Sequence, residues 1–256
     1  MTQKKWLALF AKQKKEQAAL SLPPDIEEIR QKAFLGHCLE QVLWGKILLN
    51  STYVPSNPAQ ARVWFRIAAD AGYGPAWNML GRCAHFGWGD TVNLLFAAEC
   101  YENAARLDDE WGRYNLGILF MRGLGMPQNL KKALMLFQQA AHNGHAKSMN
   151  ILARFLEEGW EIKQDRNAAV EWYRQSAENG DYRGQHNYAT YLIENKKTEE
   201  ALLWWEKALP DATSDILFAM QRALNKLNHD KAIALRQSLL KRLENFHQNS
   251  ALSLPD

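Results

Sequence analysis

Few residues of this chain have types and spacings that could do chemistry. His142 and His145 stand in HNGH, the arrangement nearest to a metal-binding pair. A zinc centre needs three or four protein ligands, and nothing else in the chain supplies two more at a known spacing. The two are read as surface histidines around a helix-ending glycine, and His37 beside Cys38 is read the same way. Cys83 and Cys100 fall on the two helices of one predicted hairpin, where buried free thiols are the expectation. The carboxylate pairs Glu157-Glu158 and Glu199-Glu200 are adjacent residues on solvated helix faces. Such positions do not shift a pKa as acid–base catalysis requires. There is no G-x-x-x-x-G-K-[ST] phosphate loop, no G-x-G-x-x-G after a strand and no G-x-S-x-G elbow. The chain is therefore expected to hold no catalytic residue, no metal and no cofactor, and not to be an enzyme.

The totals agree with a binding protein. The 256 residues suffice for one or two domains, and the 47% apolar share supplies a core. Thirty-one basic residues against 28 acidic ones leave a net charge of +3. That balance excludes a dedicated nucleic-acid binder, which concentrates a basic excess. Ten tryptophans serve packing or interfaces equally well. Three cysteines without regular spacing point to a reducing compartment. The apolar run Trp6 to Ala11 is too short for a signal-peptide core, and no stretch approaches the roughly 20 residues that span a bilayer. A cytoplasmic protein is expected, and these grounds speak against a membrane role.

The elements that would position a binding surface repeat. Gly45, Gly81, Gly117, Ala153 and Ala189 stand 36 residues apart with no insertion. Ala61, Ala97, Ala133 and Ala169 keep the same step, followed four residues on by Phe65, Tyr101, Phe137 and Tyr173 and four further by Ala69, Ala105, Ala141 and Ala177. Small, aromatic, small at spacings of four lie on one stripe of a helix, so the helices approach closely and the ring fills the gap. Asn57, Asn93, Asn129 and Asp165 are predicted N-caps of these second helices. Gly72, Gly144 and Gly180 are predicted to end them in a left-handed residue, with Asp108 replacing glycine once. Glycine loops such as Gly87-Trp88-Gly89 and Gly123-Leu124-Gly125 join the helices of a pair. A fifth unit, in which ENKKTEEA replaces that loop, should turn tightly.

The flanks differ from the repeats. Residues 1–20 read as a basic amphipathic helix with Trp6, Leu9 and Phe10 on one face, either a cap on the first repeat or a membrane- or partner-docking helix. Asp25 is predicted to cap a helix starting at Ile26. Residues 214–228 and 230–246 read as two C-terminal capping helices. The expected organisation is residues 1–38 as N-terminal helices, 39–209 as five repeats (about 39–74, 75–110, 111–146, 147–182 and 183–209), 210–247 as caps and 248–256 as a loose tail.

The segments YNLGILFMRGLGMPQNLKKALMLFQQAAHNGH (residues 114–145) and ILARFLEEGWEIKQDRNAAVEWYRQSAENGD (151–181) resemble the Sel1-like repeat, a relative of the tetratricopeptide repeat. The resemblance implies an all-α protein, a right-handed α/α superhelix of helix pairs, with its first helices lining a concave groove. It implies an adaptor or scaffold rather than a catalyst. The groove-facing positions implied are Lys46, Asn78, Arg82, His85, Trp111, Tyr114, Arg122, Lys147, Asn150, Arg154, Arg183 and His186. Asn can bind a peptide backbone through both its donor and its acceptor, and Arg can grip a carboxylate. The implied partner is another protein or peptide segment with an acidic or C-terminal carboxylate feature. LEEGW and HAKSMN resemble small Sel1-like proteins found beside iron-uptake hydroxylases, which implies a role accessory to such an enzyme. The alternatives are a toxin-neutralising, immunity-type protein and a membrane-surface organiser acting through residues 1–20. Bacterial origin is implied by family style, and the oligomeric state is left open.

Overall fold

The computed structural model describes residues 22–50 and 52–251, apart from the side chains of 246–251. The basic segment 1–20, with its capping and membrane-docking readings, lies outside the described residues. Among those described there are thirteen α-helices and no strand. The chain forms two compact units, Met1–Asn129 and Leu130–Asp256. The first holds α1 (Pro24–Phe34), α2 (Cys38–Asn50), α3 (Pro58–Asp70), α4 (Gly74–Phe86), α5 (Leu94–Arg106) and α6 (Glu110–Arg122). The second holds α7 (Leu130–His142), α8 (Ala146–Glu158), α9 (Arg166–Glu178), α10 (Tyr182–Glu194), α11 (Thr198–Ala208), α12 (Ser214–Leu224) and α13 (Asp230–Ala251). The division falls inside the third repeat, after its first helix. No described helix is long and apolar enough to cross a membrane.

Capping side chains set the starts of the second helices. Asn57, Asn93 and Asp165 accept the N–H groups of Gln60, Phe96 and Ala168 at 3.0, 2.9 and 3.0 Å. The backbone N–H of each of these residues reaches back to the preceding helix. Asn57, Asn93 and Asp165 donate to the carbonyls of Leu48, Ala84 and Leu156 at 2.7–2.9 Å. Asn129 does the same to Phe120 at 2.9 Å. One residue thus closes the hairpin and opens the helix, which is why it recurs at the repeat period. The first helices have caps of their own, which the sequence reading misses. Asp109, Asp181 and His145 accept from the N–H groups of Gly112, Gly184 and Ser148 at 2.6, 3.0 and 3.3 Å.

Gly72, Gly144 and Gly180 adopt φ of +84 to +89°, and Asp108 holds φ +57° in the same column. A non-glycine residue pays strain there, and the Asp108 carboxylate meets the Arg113 guanidinium. The fifth hairpin turns through residues 195–197, with Lys196 at φ +60°.

Two local readings change. Asp25 does not cap α1. Pro23 is its N-cap and Pro24 its first residue, where the missing proline N–H costs nothing. At the other end, α13 continues to Ala251, past residue 248, where the sequence reading starts a loose tail. Residues 252–256 lie outside the described residues.

Each unit has its own core. In the first, Trp44, Trp64, Phe65 and the alanines at 61, 68 and 69 are sealed from solvent. Gly45 lies so close to Phe65 that an added Cβ would stand 2.4 Å from the ring, and Gly81 stands likewise to Tyr101 at 2.6 Å. These glycines are the close crossings that the small-residue column predicts. In the second unit Tyr173, Tyr188 and Trp205 join α8–α11 to Leu217, Met220 and Leu239 of α12 and α13.

Candidate protein-interaction faces

The first helices of the repeats carry the twelve residues that the sequence singles out, and their environments separate them into two groups. Several are engaged inside the fold. Asn78 and Asn150 are only 7% and 3% exposed. Their side-chain carbonyls accept from the amides of Asn115 and Asn187 on the next first helix, each at 2.8 Å. These amides hold neighbouring helices in register rather than facing a partner's backbone. His186 is packed against Trp205, whose indole N–H donates to His186 Nδ1 at 3.1 Å, and burial pushes the imidazole pKa down to about 4. Arg183 lies 4.8 Å over the Tyr182 ring, and its guanidinium reaches Asp215 at 3.7 Å. All four are engaged by neighbouring side chains of the protein itself.

Two arginines lie on aromatic faces. Arg82 stands 5.1 Å over Trp88 and Arg154 stands 5.4 Å over Trp160. The signal for this was present in the sequence as Arg and Trp six residues apart in the second and fourth repeats. A cation held over an indole is worth about 0.5–2 kcal/mol and keeps its charge.

The rest meet solvent. In the first unit Lys46 and Arg122 are exposed, and Tyr114 is half-buried against Trp111 at 6.0 Å edge to face. Trp111 is 46% exposed. His85 stacks on Phe86 at 4.6 Å and lies 3.3 Å from the Tyr101 hydroxyl. Its pKa is lowered by burial and then by the charge of Arg122. Phe86, which the sequence reading leaves out, is 54% exposed and stacks on Trp88 at 5.2 Å. In the second unit Lys147 is half-buried and Arg154 exposed.

No group of three or more His, Cys, Asp or Glu among the described residues could hold a metal ion. His142 and His145 are occupied separately. His142 Nδ1 lies 2.7 Å from the Gln138 carbonyl, while His145 caps α8. Cys83 and Cys100 are both buried free thiols, and burial pushes both up to about 12.

The Sel1 repeat model matches five segments, residues 41–73, 76–109, 112–145, 146–181 and 184–209. The chain belongs to the Sel1 repeat family. Solved structures agree on the fold. A Sel1 repeat protein from Oxalobacter formigenes superposes with a TM-score of 0.70 at 21% identity, covering 81% of this chain and 89% of that one. A protective antigen of uropathogenic Escherichia coli strains, displaying an SLR fold, gives 0.64 at 24% identity over 85% of this chain and 49% of its own. An immunity protein from Pseudomonas aeruginosa gives 0.54 at 14% identity over 88% and 84%. At these identities the likeness is one of architecture. It establishes the all-α helical-repeat class for this Sel1 chain and leaves the faces above to be read from its own residues.

Proposed function

We propose that this Sel1 repeat chain is a non-catalytic scaffold that holds a segment of another protein on the exposed faces of its first helices. Sel1 repeat proteins generally mediate protein–protein interaction, and the reading extends that role to named residues. The observation that carries it is the exposure of two large aromatic side chains on first helices of the first unit. Phe86 and Trp111 are 54% and 46% exposed, although the same fold buries Trp44, Trp64 and Phe65 completely. Aromatic rings beside cations, here Arg82 over Trp88 and Arg122 near His85, are the side chains that dominate protein interfaces. The partner binds by its apolar or aromatic side chains here, with Lys46 and Arg122 favouring acidic ones.

The test is cross-linked affinity capture from the source cells, with wild type compared to a Phe86→Ala/Trp111→Ala variant. Both rings are exposed, so helicity and unfolding midpoint stay within a small margin of wild type. Loss of about 2 kcal/mol, or more than tenfold in affinity, is expected. Capture of the same partner with equal affinity by both proteins overturns the reading. The identity of the captured protein also separates a scaffold of an enzyme from a toxin-neutralising role, in which the partner is a toxin and its activity is blocked.

A further inference from the structure

A cleft of about 530 Å³ opens in the second unit, lined by the last turn of α8, the first part of α9 and the second half of α10. Glu157 and Glu194 line it with Arg166, Tyr173, Asn187 and Tyr191. Glu157 is half-buried and accepts one hydrogen bond, from the Tyr173 hydroxyl at 2.8 Å. A carboxylate offers about four acceptor sites, so Glu157, which lines the cleft, keeps acceptor capacity beyond this one bond. Among the described residues neither Glu157 nor Glu194 is in an ion pair, and nor is Arg166 at the start of α9. Two carboxylates against one guanidinium leave the cleft net negative.

The repeat supplies an internal comparison. Seventy-two residues earlier, in the first unit, His85 stands for Glu157, Tyr101 for Tyr173, Arg122 for Glu194 and Leu94 for Arg166. There the Tyr101 hydroxyl lies 3.3 Å from His85 Nδ1. The tyrosine is kept, as its place in the core requires, while the partner of its hydroxyl changes from an imidazole to a carboxylate, Arg122 gives way to Glu194 and Leu94 to Arg166. The negative charge is therefore a property of this cleft and not of the fold.

We propose that the cleft receives a lysine or arginine side chain from an extended partner segment, with Glu157 binding the cation, Glu194 reinforcing it at the rim and the exposed Tyr191 ring flanking its alkyl stem. The ligand chemistry here is opposite to the acidic partner that the arginine and lysine positions suggest, because the arginines lie on tryptophan faces while the carboxylates line the open space. The proposal rests on the scaffold reading only in taking the ligand to be a protein segment.

The test titrates the full chain, isotope-labelled for NMR, with acetylated and amidated pentapeptides Gly-Ser-X-Ser-Gly in which X is arginine, lysine, citrulline or glutamate. The reporters are the side-chain amide of Asn187 and the backbone amide of Tyr191. The arginine and lysine peptides are expected to shift both signals saturably at low salt, with affinity falling as salt is raised. Citrulline, which keeps the shape and loses the charge, should bind about tenfold more weakly, and the glutamate peptide should not bind. Glu157→Gln should weaken the arginine peptide by about tenfold with the remaining spectrum unchanged. If that variant folds poorly, exposed Glu194→Gln and the citrulline peptide decide instead. Absence of a saturable shift with arginine up to its solubility limit, equal shifts from the glutamate peptide, or undiminished affinity in the glutamine variants overturns the proposal. The scaffold reading is tested on Phe86 and Trp111 of the other unit, so either can fail while the other stands.

Discussion

Two histidines make the second unit sensitive to mild acid, and the size of the effect follows from their surroundings. Burial lowers the pKa of both His145 and His186 to about 4. His145 Nδ1 accepts the Ser148 N–H that opens α8, and protonation removes that acceptor while Lys147 repels the new charge. His186 Nδ1 accepts the indole N–H of fully buried Trp205. In the unfolded chain both rings titrate near 6.5. Between about pH 6.5 and pH 4 the unfolded state therefore binds more protons than the folded one, and stability falls as pH falls. At about 1.4 kcal/mol per pKa unit, the difference at pH 5 is about 2 kcal/mol for a fully buried ring. About 2 kcal/mol is expected from His186 and about 1 from the more hydrated His145. Carboxylates act elsewhere on the scale. Glu171 and Asp215 are lowered by their hydrogen-bond partners, Arg174 and Thr213, so their stabilisation is lost only below about pH 4.5. Asp181 is raised by burial, so protonating it favours the folded state and opposes the histidines at the acid end. From pH 7 to 5 the two imidazoles lead in the second unit; His85 is lowered by burial as well but lies in the first unit, so the readout is placed on Trp205. Urea unfolding at each pH, read through the Trp205 indole resonance, should show a loss of about 3 kcal/mol in wild type and little in His145→Asn/His186→Asn. Asparagine keeps an acceptor, is a better N-cap and does not titrate. The same pH 7-to-5 loss in the double variant refutes the reasoning.

Three further outcomes follow from the packing. Gly45→Ala places a methyl 2.4 Å from the sealed Phe65 ring; overpacking of about 1–3 kcal/mol outweighs about 1 kcal/mol of helix propensity, so denaturant unfolding should report a net loss. Native protein treated with a thiol-titrating disulfide should expose Cys38, which is partly accessible, while Cys83 and Cys100, buried and pushed up to about 12, react only on unfolding. Asn115→Ala strands the buried Asn78 carbonyl and should cost about 1–3 kcal/mol, and Asn78→Ala/Asn115→Ala should cost less than the sum of the single changes.

The parts of the fold that sequence made legible are those set by one residue's own physics at a fixed spacing. A cap needs an oxygen, a left-handed helix end favours glycine, and a close crossing needs a small residue. Asn57, Gly72 and Gly45 could therefore be read one at a time. The candidate site was harder because its residues acquire meaning in pairs across helices. Asn78 reads as a peptide-binding amide until Asn115, 37 residues on, is placed against it. His186 reads as a groove residue until Trp205 of the shortened fifth hairpin closes over it. Arg82 and Trp88 were within reach, since both lie in one repeat. Phe86 escapes the sequence reading because an apolar residue at a helix end is ordinarily assigned to the core, and only its 54% exposure in the fold reveals that it is not there.

Pairing also explains what changes along the chain. Comparison at 72 residues brings together Asp109 with Asp181, Gly112 with Gly184, Asn78 with Asn150, Asn115 with Asn187, Arg82 with Arg154 and Trp88 with Trp160. Every one of these is a cap, a close approach, a buried amide pair or a stacked cation. A change at a cap, a close approach or a buried amide would leave a buried polar group or a clash, and a change at a stacked pair would lose the ring contact, so each holds its partner in place. Arg122 and Glu194 occupy equivalent positions without that constraint, because both are exposed, while His85 and Glu157 each keep a contact with a buried tyrosine hydroxyl and differ in the group that makes it. The charge at the exposed position is free to differ, and it does, from basic in the first unit to acidic in the second. Buried positions also differ between the two units, Cys83 standing for Phe155 and Ala104 for Ser176, so the case for different ligand charges rests on the open positions alone, and the peptide titration proposed above tests it.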